Sequence, residues 1–180
     1  KYDVEIEEEI EFIRLNKDNI MAIGEIGLDY HTGDNKEEQK ELFKKLLDLA
    51  VELNKPVIIH SRKAEADVLD ILEEYKDKLK IINHCFSGKK KLVVRAKELG
   101  FYFTIPTNVV RSQQFQHMVE NVPLSQLFCE TDTPYLSPFK DQWNEPGNVV
   151  ESYKKIAEIK EMELEEVMNI VYNNWQKVFL

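Results

Sequence analysis

Glu25, His60, His84 and Asp132 are the residues of this sequence best suited to chemistry. Each closes or closely follows a short apolar run: Met21-Ala22-Ile23, Pro56-Val57-Ile58-Ile59, Ile81-Ile82 and Leu127-Phe128-Cys129. Burying a charge is costly unless it is paired or bound to metal. A carboxylate or imidazole at the end of a buried strand is therefore either capped by an opposite charge or a ligand. Nitrogen and carboxylate donors together suit zinc, manganese, iron or magnesium. One histidine at a strand end reads most simply as packing, whereas four donors at four strand ends read as a metal site.

The spacing of apolar residues predicts the elements that would carry these donors. Helices are expected over 4–15, 36–54, 64–76, 89–99, 112–120, 148–160 and 163–179. In the second helix the stripe is Leu42, Leu46, Leu49 and Leu53; in the last it is Leu164, Val167, Val171, Trp175 and Val178. Strands are expected at Ile20–Glu25, Pro56–His60, Lys80–His84, Phe101–Ile105 and Leu127–Glu130. Short apolar strands alternating with helices predict a parallel α/β sheet covered on both faces. All strand carboxyl ends then lie together, where barrel enzymes build their active sites. No glycine-rich phosphate loop follows a strand, which argues against Rossmann and P-loop folds. Residues 133–147 hold Pro134, Pro138 and Pro146 and read as a long irregular loop, of the kind that often serves function.

A chain of 180 residues predicts a single domain with a substantial core. Its net charge of −9 argues against a general nucleic-acid coat, though not against an enzyme that meets phosphates through bound cations. No apolar run is long enough to span a bilayer, and no signal-peptide pattern opens the chain. Cys85 and Cys129 make no disulfide framework, so a reducing cytoplasm is expected.

Other residues admit two readings each. Arg62, two residues beyond His60, suits bidentate capture of a phosphate or a local salt bridge. Ser87 and Gly88 offer backbone N–H groups to a phosphate or an ordinary helix cap. Asp29 orients a ligand or caps a turn. Tyr135 and Trp143 stack on bases or anchor their loop. His31, in a loop with Gly33, is a weak candidate, and His117 reads as surface or packing. Cys85 and Cys129 read as small buried hydrophobes, and Lys89, Lys90 and Lys91 as a solvated helix start.

Five segments, "AIGEIGLDYH", "KPVIIHSR", "INHCFSG", "FCETDTPYLSP" and "NEPGNV", occur in this order from about residue 20 onward. In these segments the chain resembles the TatD-like metal-dependent deoxyribonucleases. The resemblance implies a TIM-type (β/α)8 barrel of the amidohydrolase-like kind with two divalent ions (Mg, Mn or Zn) that cuts DNA phosphodiester bonds. It implies Glu25 as a ligand shared by both ions, His60 and His84 as ligands of the second, and Asp132 as ligand of the first and base toward water. Glu25 and Asp132 are the implied catalytic pair. Family members add a His-x-His pair on an earlier strand, and no such pair occurs in this sequence. The expectation is an incomplete barrel: a single hydrolase domain, 1–180, of about five parallel strands plus C-terminal helices. Such a chain should bind at most one ion and nick DNA poorly. The complete protein should be monomeric, while strands left unpaired invite association of the shorter chain.

The leading functional reading is a metal-dependent nuclease with DNA as substrate and no membrane partner. Related barrels apply similar ligands to small esters, amides or lactones, which is the first alternative. A non-catalytic fragment that binds a partner through an exposed sheet edge is the second.

Overall fold

The structure, a computed structural model, describes residues 6–31 and 35–180. In order, the chain forms α1 (Ile6–Leu15), β1 (Ile23–Asp29), α2 (Lys36–Leu53), β2 (Val57–Arg62), α3 (Glu65–Leu72) and β3 (Ile81–Asn83). It continues through α4 (Lys90–Glu98), β4 (Tyr102–Pro106), α5 (Gln113–Asn121), β5 (Leu127–Glu130), α6 (Val149–Lys160) and α7 (Leu164–Phe179). The expected start of the first helix, Val4 and Glu5, and Gly33 beside His31 lie outside the described residues.

The five strands form one sheet in the order β1-β2-β3-β4-β5, and every neighbouring pair is parallel. β1 and β5 are its two edges. Strand-after-helix connections to the adjacent parallel strand produce this order directly. Leu28, Val57, Ile59, Ile81, Phe103, Ile105 and Leu127 are all at most 1% exposed and form the middle of the core.

α2 shows how packing refines the expected pattern. Its buried residues are Phe43, Leu47, Leu49 and Ala50, so the inward stripe is rotated from the leucines expected by spacing alone. Phe43 and Leu47 lie one turn apart, and each contributes roughly 1.5–3 kcal/mol by burial. The helix ends where Asn54 turns left-handed at φ 50°. The helix expected over 64–76 instead stops at Leu72 and tightens into a 3-10 turn, Glu73–Tyr75. At the other end of the core, buried Asn174 of α7 donates to the Leu124 and Leu127 carbonyls at 2.8 and 3.0 Å. That pair of bonds fixes the start of β5.

The first strand differs most from expectation. It spans Ile23–Asp29 and not Ile20–Glu25. Glu25 therefore sits near its beginning, and its side chain is 49% exposed, not buried. Glycine makes the longer strand possible. Gly27 pairs with His60 at φ +152°, and a Cβ there would lie 1.9 Å from the His60 carbonyl oxygen. Only glycine permits that approach. The register shifts between Ile23 and Ile26, and Glu25 lies within the irregularity.

Candidate metal centre

The expected donors are brought together from four strands. Glu25 occupies the irregular part of β1, and His60 is the fourth residue of β2. His84 follows β3, its N–H donating to the Ile59 carbonyl at 2.9 Å. Asp132 lies two residues beyond β5, not at its end, in a left-handed conformation at φ 58°.

Glu25 Oε2 lies 3.7 Å from His60 Nδ1 and 3.7 Å from His84 Nε2. Glu25, His60 and His84 each offer a ligand atom, and these atoms lie within 4.8 Å of one another. Two ligands about 2.1 Å from an ion at a tetrahedral angle are roughly 3.4 Å apart. The three donors thus fit a divalent cation with little adjustment. Asp132 stands beside this group, with Oδ1 3.8 Å from His84 Nε2.

The far nitrogen of each imidazole meets a second carboxylate. His60 Nε2 lies 3.4 Å from Asp29 Oδ2, and His84 Nδ1 donates to Glu130 Oε2 at 2.5 Å. An outer carboxylate of this kind fixes the ring and leaves the inner nitrogen's lone pair free for a cation. Glu130 Oε1 also accepts the Cys85 N–H at 2.9 Å, which pins the turn carrying His84. Asp29 Oδ1 also accepts the His31 N–H at 2.8 Å, which is the turn cap of its second reading.

Glu130 is the residue that sequence reasoning missed. The available signal was period-two spacing: Glu130 and Asp132 both turn toward the site from alternate positions of "CETD".

Burial works against the charged form of His84, but the Glu130 hydrogen bond and the charges of Glu130, Glu25 and Asp132 prevail. Its pKa rises to about 8. Asp132 is pushed above the usual carboxylate range first by burial and then by Glu130 and Glu25, with His84 and His60 opposing.

The donors open onto a cleft of about 630 Å³ lined by His60, Arg62, His84, Phe115, Asp132 and Tyr135 among others. Arg62 is exposed and makes no ion pair among the described residues, so its salt-bridge reading finds no partner there. Ser87 does not cap α4. Its hydroxyl donates to Glu65 at 3.1 Å, and Lys89 occupies the cap position. His117 pairs with Glu120 at 2.9 Å on the surface. Cys85 and Cys129 are free thiols, half-buried, and burial raises both pKa values.

The sequence model of the family described as TatD related DNase matches residues 1–180. The chain belongs to that family. It is 44% identical over 177 residues to an uncharacterised metal-dependent hydrolase of Methanocaldococcus jannaschii, covering 98% of this chain and 70% of that protein. It is 38% identical over 168 residues to the human deoxyribonuclease TATDN3, covering 91% of this chain and 61% of the relative. Among solved structures, the TatD homologue YJJV of Escherichia coli superposes with a TM-score of 0.87 at 26% identity, over 99% of this chain and 71% of that one. A TatD-family hydrolase of Entamoeba histolytica superposes with a TM-score of 0.88 at 24% identity, over 99% and 69%, a likeness of fold alone. The chain therefore spans roughly three fifths to seven tenths of these relatives' lengths. No described helix is long and apolar enough to cross a membrane.

Proposed function

We propose that the protein is a metal-dependent deoxyribonuclease that hydrolyses DNA phosphodiester bonds at the centre formed by Glu25, His60, His84 and Asp132. The observation that carries this reading is the placement of one Glu25 oxygen 3.7 Å from a ring nitrogen of each histidine. Family membership supports the hydrolase class, and the relative named a deoxyribonuclease supports DNA as substrate.

Glu25, His60 and His84 would hold a divalent ion, zinc, manganese or magnesium, and Asp132 would serve a second. A bound ion supplies Lewis-acid charge and a water that ionises near neutral pH. Asp132 faces the same cleft, and its carboxylate is placed to accept a proton. It takes the proton as water attacks phosphorus, and the ester P–O bond to the leaving alkoxide breaks. Arg62, exposed on the cleft wall, holds non-bridging phosphate oxygens through its two-pronged guanidinium. Asp29 and Glu130 hold the two imidazoles. Three donors of this chain, Glu25, His60 and His84, would hold one ion, and Glu25 and Asp132 would contribute to a second. The free thiols favour a reducing cytoplasm as the place of work.

The test is cleavage of supercoiled and single-stranded DNA with Mg²⁺, Mn²⁺ or Zn²⁺, set beside a panel of small esters, amides and lactones. Metal-dependent cleavage of DNA that a chelator stops is expected. Turnover of the small substrates alone would contradict the proposal.

A further inference from the structure

The turns that follow β3 and β4 reverse the sign of the chain's charge. Residues 84–91 carry Lys89, Lys90 and Lys91, residues 106–114 carry Arg111, and neither stretch holds an Asp or Glu, in a chain whose net charge is −9. The helix ends show the same reversal. The backbone dipole makes a helix's first turn positive, so carboxylates are favoured there and lysines are not. α1, α2, α3, α6 and α7 each carry an acidic residue in that turn, and α4 and α5 carry none. α4 opens instead on Lys90 and Lys91, with Lys89 at its cap position. Lys89, Lys90, Lys91 and Arg111 are all exposed, and none pairs with a carboxylate among the described residues. The fold thus places unneutralised cations where its own electrostatics disfavour them.

Lys89 and Lys90 line a groove of about 750 Å³ between α4 and α5, larger than the cleft at the metal centre. Gln113, Gln116 and Asn121 add neutral amides from the α5 side. The carboxylate in the lining, Glu120, is taken up by His117 at 2.9 Å. Ser87 lines both this groove and the cleft that holds Arg62 and Asp132, so the two are continuous. The junction is firmly held. The Ser87 hydroxyl donates to Glu65 at 3.1 Å, and its carbonyl accepts from Gln114 Nε2 at 2.6 Å.

We propose that the groove between α4 and α5 carries the phosphodiester backbone of DNA beyond the phosphate held at the metal centre. A polyanion is the occupant whose charge complements the groove, and its continuity with the cleft makes the same strand the one that fills both. A protein with a net charge of −9 repels DNA as a whole, and a local positive track is what overcomes that repulsion and orients the strand. Ammonium and amide groups of this kind meet phosphate oxygens and read no base edges, so the track serves any sequence.

This inference rests on the nuclease reading, and the experiment separates the two. Binding of a fluorescent single-stranded DNA of about twelve nucleotides to the full-length protein is measured by anisotropy over a range of salt. A chelator keeps the strand whole, and cleavage is assayed separately with metal. The paired substitution Lys89→Gln with Lys90→Gln should weaken binding roughly tenfold or more at low salt. It should also make the fall of log affinity with log salt shallower by about 1.4, two phosphate contacts at about 0.7 each. Lys89→Arg with Lys90→Arg should keep both. Lys76→Gln with Lys80→Gln, the same loss of charge at exposed positions ahead of β3, should keep both as well. Parent-like affinity and slope in the first pair, or an equal loss in the Lys76 and Lys80 pair, overturns the inference even if DNA is cleaved. Binding that follows these expectations without any cleavage leaves the groove as a DNA track and removes the nuclease reading.

Discussion

Glu130 and His84 are joined by a 2.5 Å hydrogen bond across β5 and the turn after β3, and the other Glu130 oxygen holds the Cys85 N–H. The carboxylate decides which imidazole nitrogen carries the proton and therefore which faces Glu25. Glu130→Gln removes that preference while nearly preserving shape. On the proposed reading, affinity for zinc or manganese should fall about 10–100-fold, with thermal unfolding little changed. Calorimetric titration checks it, and equal affinity in the variant would remove Glu130 from the site.

Asp132→Asn is close to isosteric, but it takes away a negative ligand and the proton acceptor. DNA hydrolysis by the full-length variant should drop by at least about a hundredfold, with circular dichroism unchanged. Parent-like turnover in Mn²⁺ or Mg²⁺ would place Asp132 outside the chemistry.

Gly27→Ala tests the contact that brings β1 against His60. A Cβ there meets the His60 carbonyl at 1.9 Å under a positive φ, whereas one at Gly147 meets nothing within 4 Å. Urea unfolding should show a loss of roughly 2–6 kcal/mol for Gly27→Ala, from overpacking and backbone strain together. Gly147→Ala should stay within about 0.5 kcal/mol of the parent. Similar stabilities for the two variants would show that β1 does not need this approach.

Asp67 binds β1 to α3 by accepting from Tyr30 at 2.8 Å and pairing with Lys40 at 3.0 Å. Lys40 first, and Tyr30 second, hold its carboxyl below the usual range. A carboxyl whose folded pKa is depressed stabilises the fold above its unfolded pKa, about 3.9, and loses that contribution as pH falls through the folded value. Asp67→Asn should therefore lower the melting temperature at pH 7, and the difference should shrink as pH falls through the unfolded value and vanish once it is below the folded one. A difference that persists in acid would assign the effect to shape rather than charge.

The helices and the strand order were legible in the sequence because each helix carries an apolar stripe and each strand a short buried run. His60 and His84 were legible for the same reason, as polar residues closing such runs. The limits of β1 were not. Gly24 and Gly27 interrupt its apolar pattern, and the reason they are tolerated, close approach to Ile58 and His60 on β2, is a tertiary contact. The rotated face of α2 was also hidden, since Leu42 and Phe43 are both apolar and only the neighbouring strand selects between them. Glu130 escaped because its role depends on a histidine 46 positions away in the chain.

The central claim is a cation site made by Glu25, His60 and His84, and calorimetric titration of the 180-residue chain with zinc or manganese tests it most directly. One equivalent should bind with appreciable affinity, and His60→Ala and His84→Ala should each abolish it. Two tight equivalents, or undiminished binding in either variant, would contradict the account.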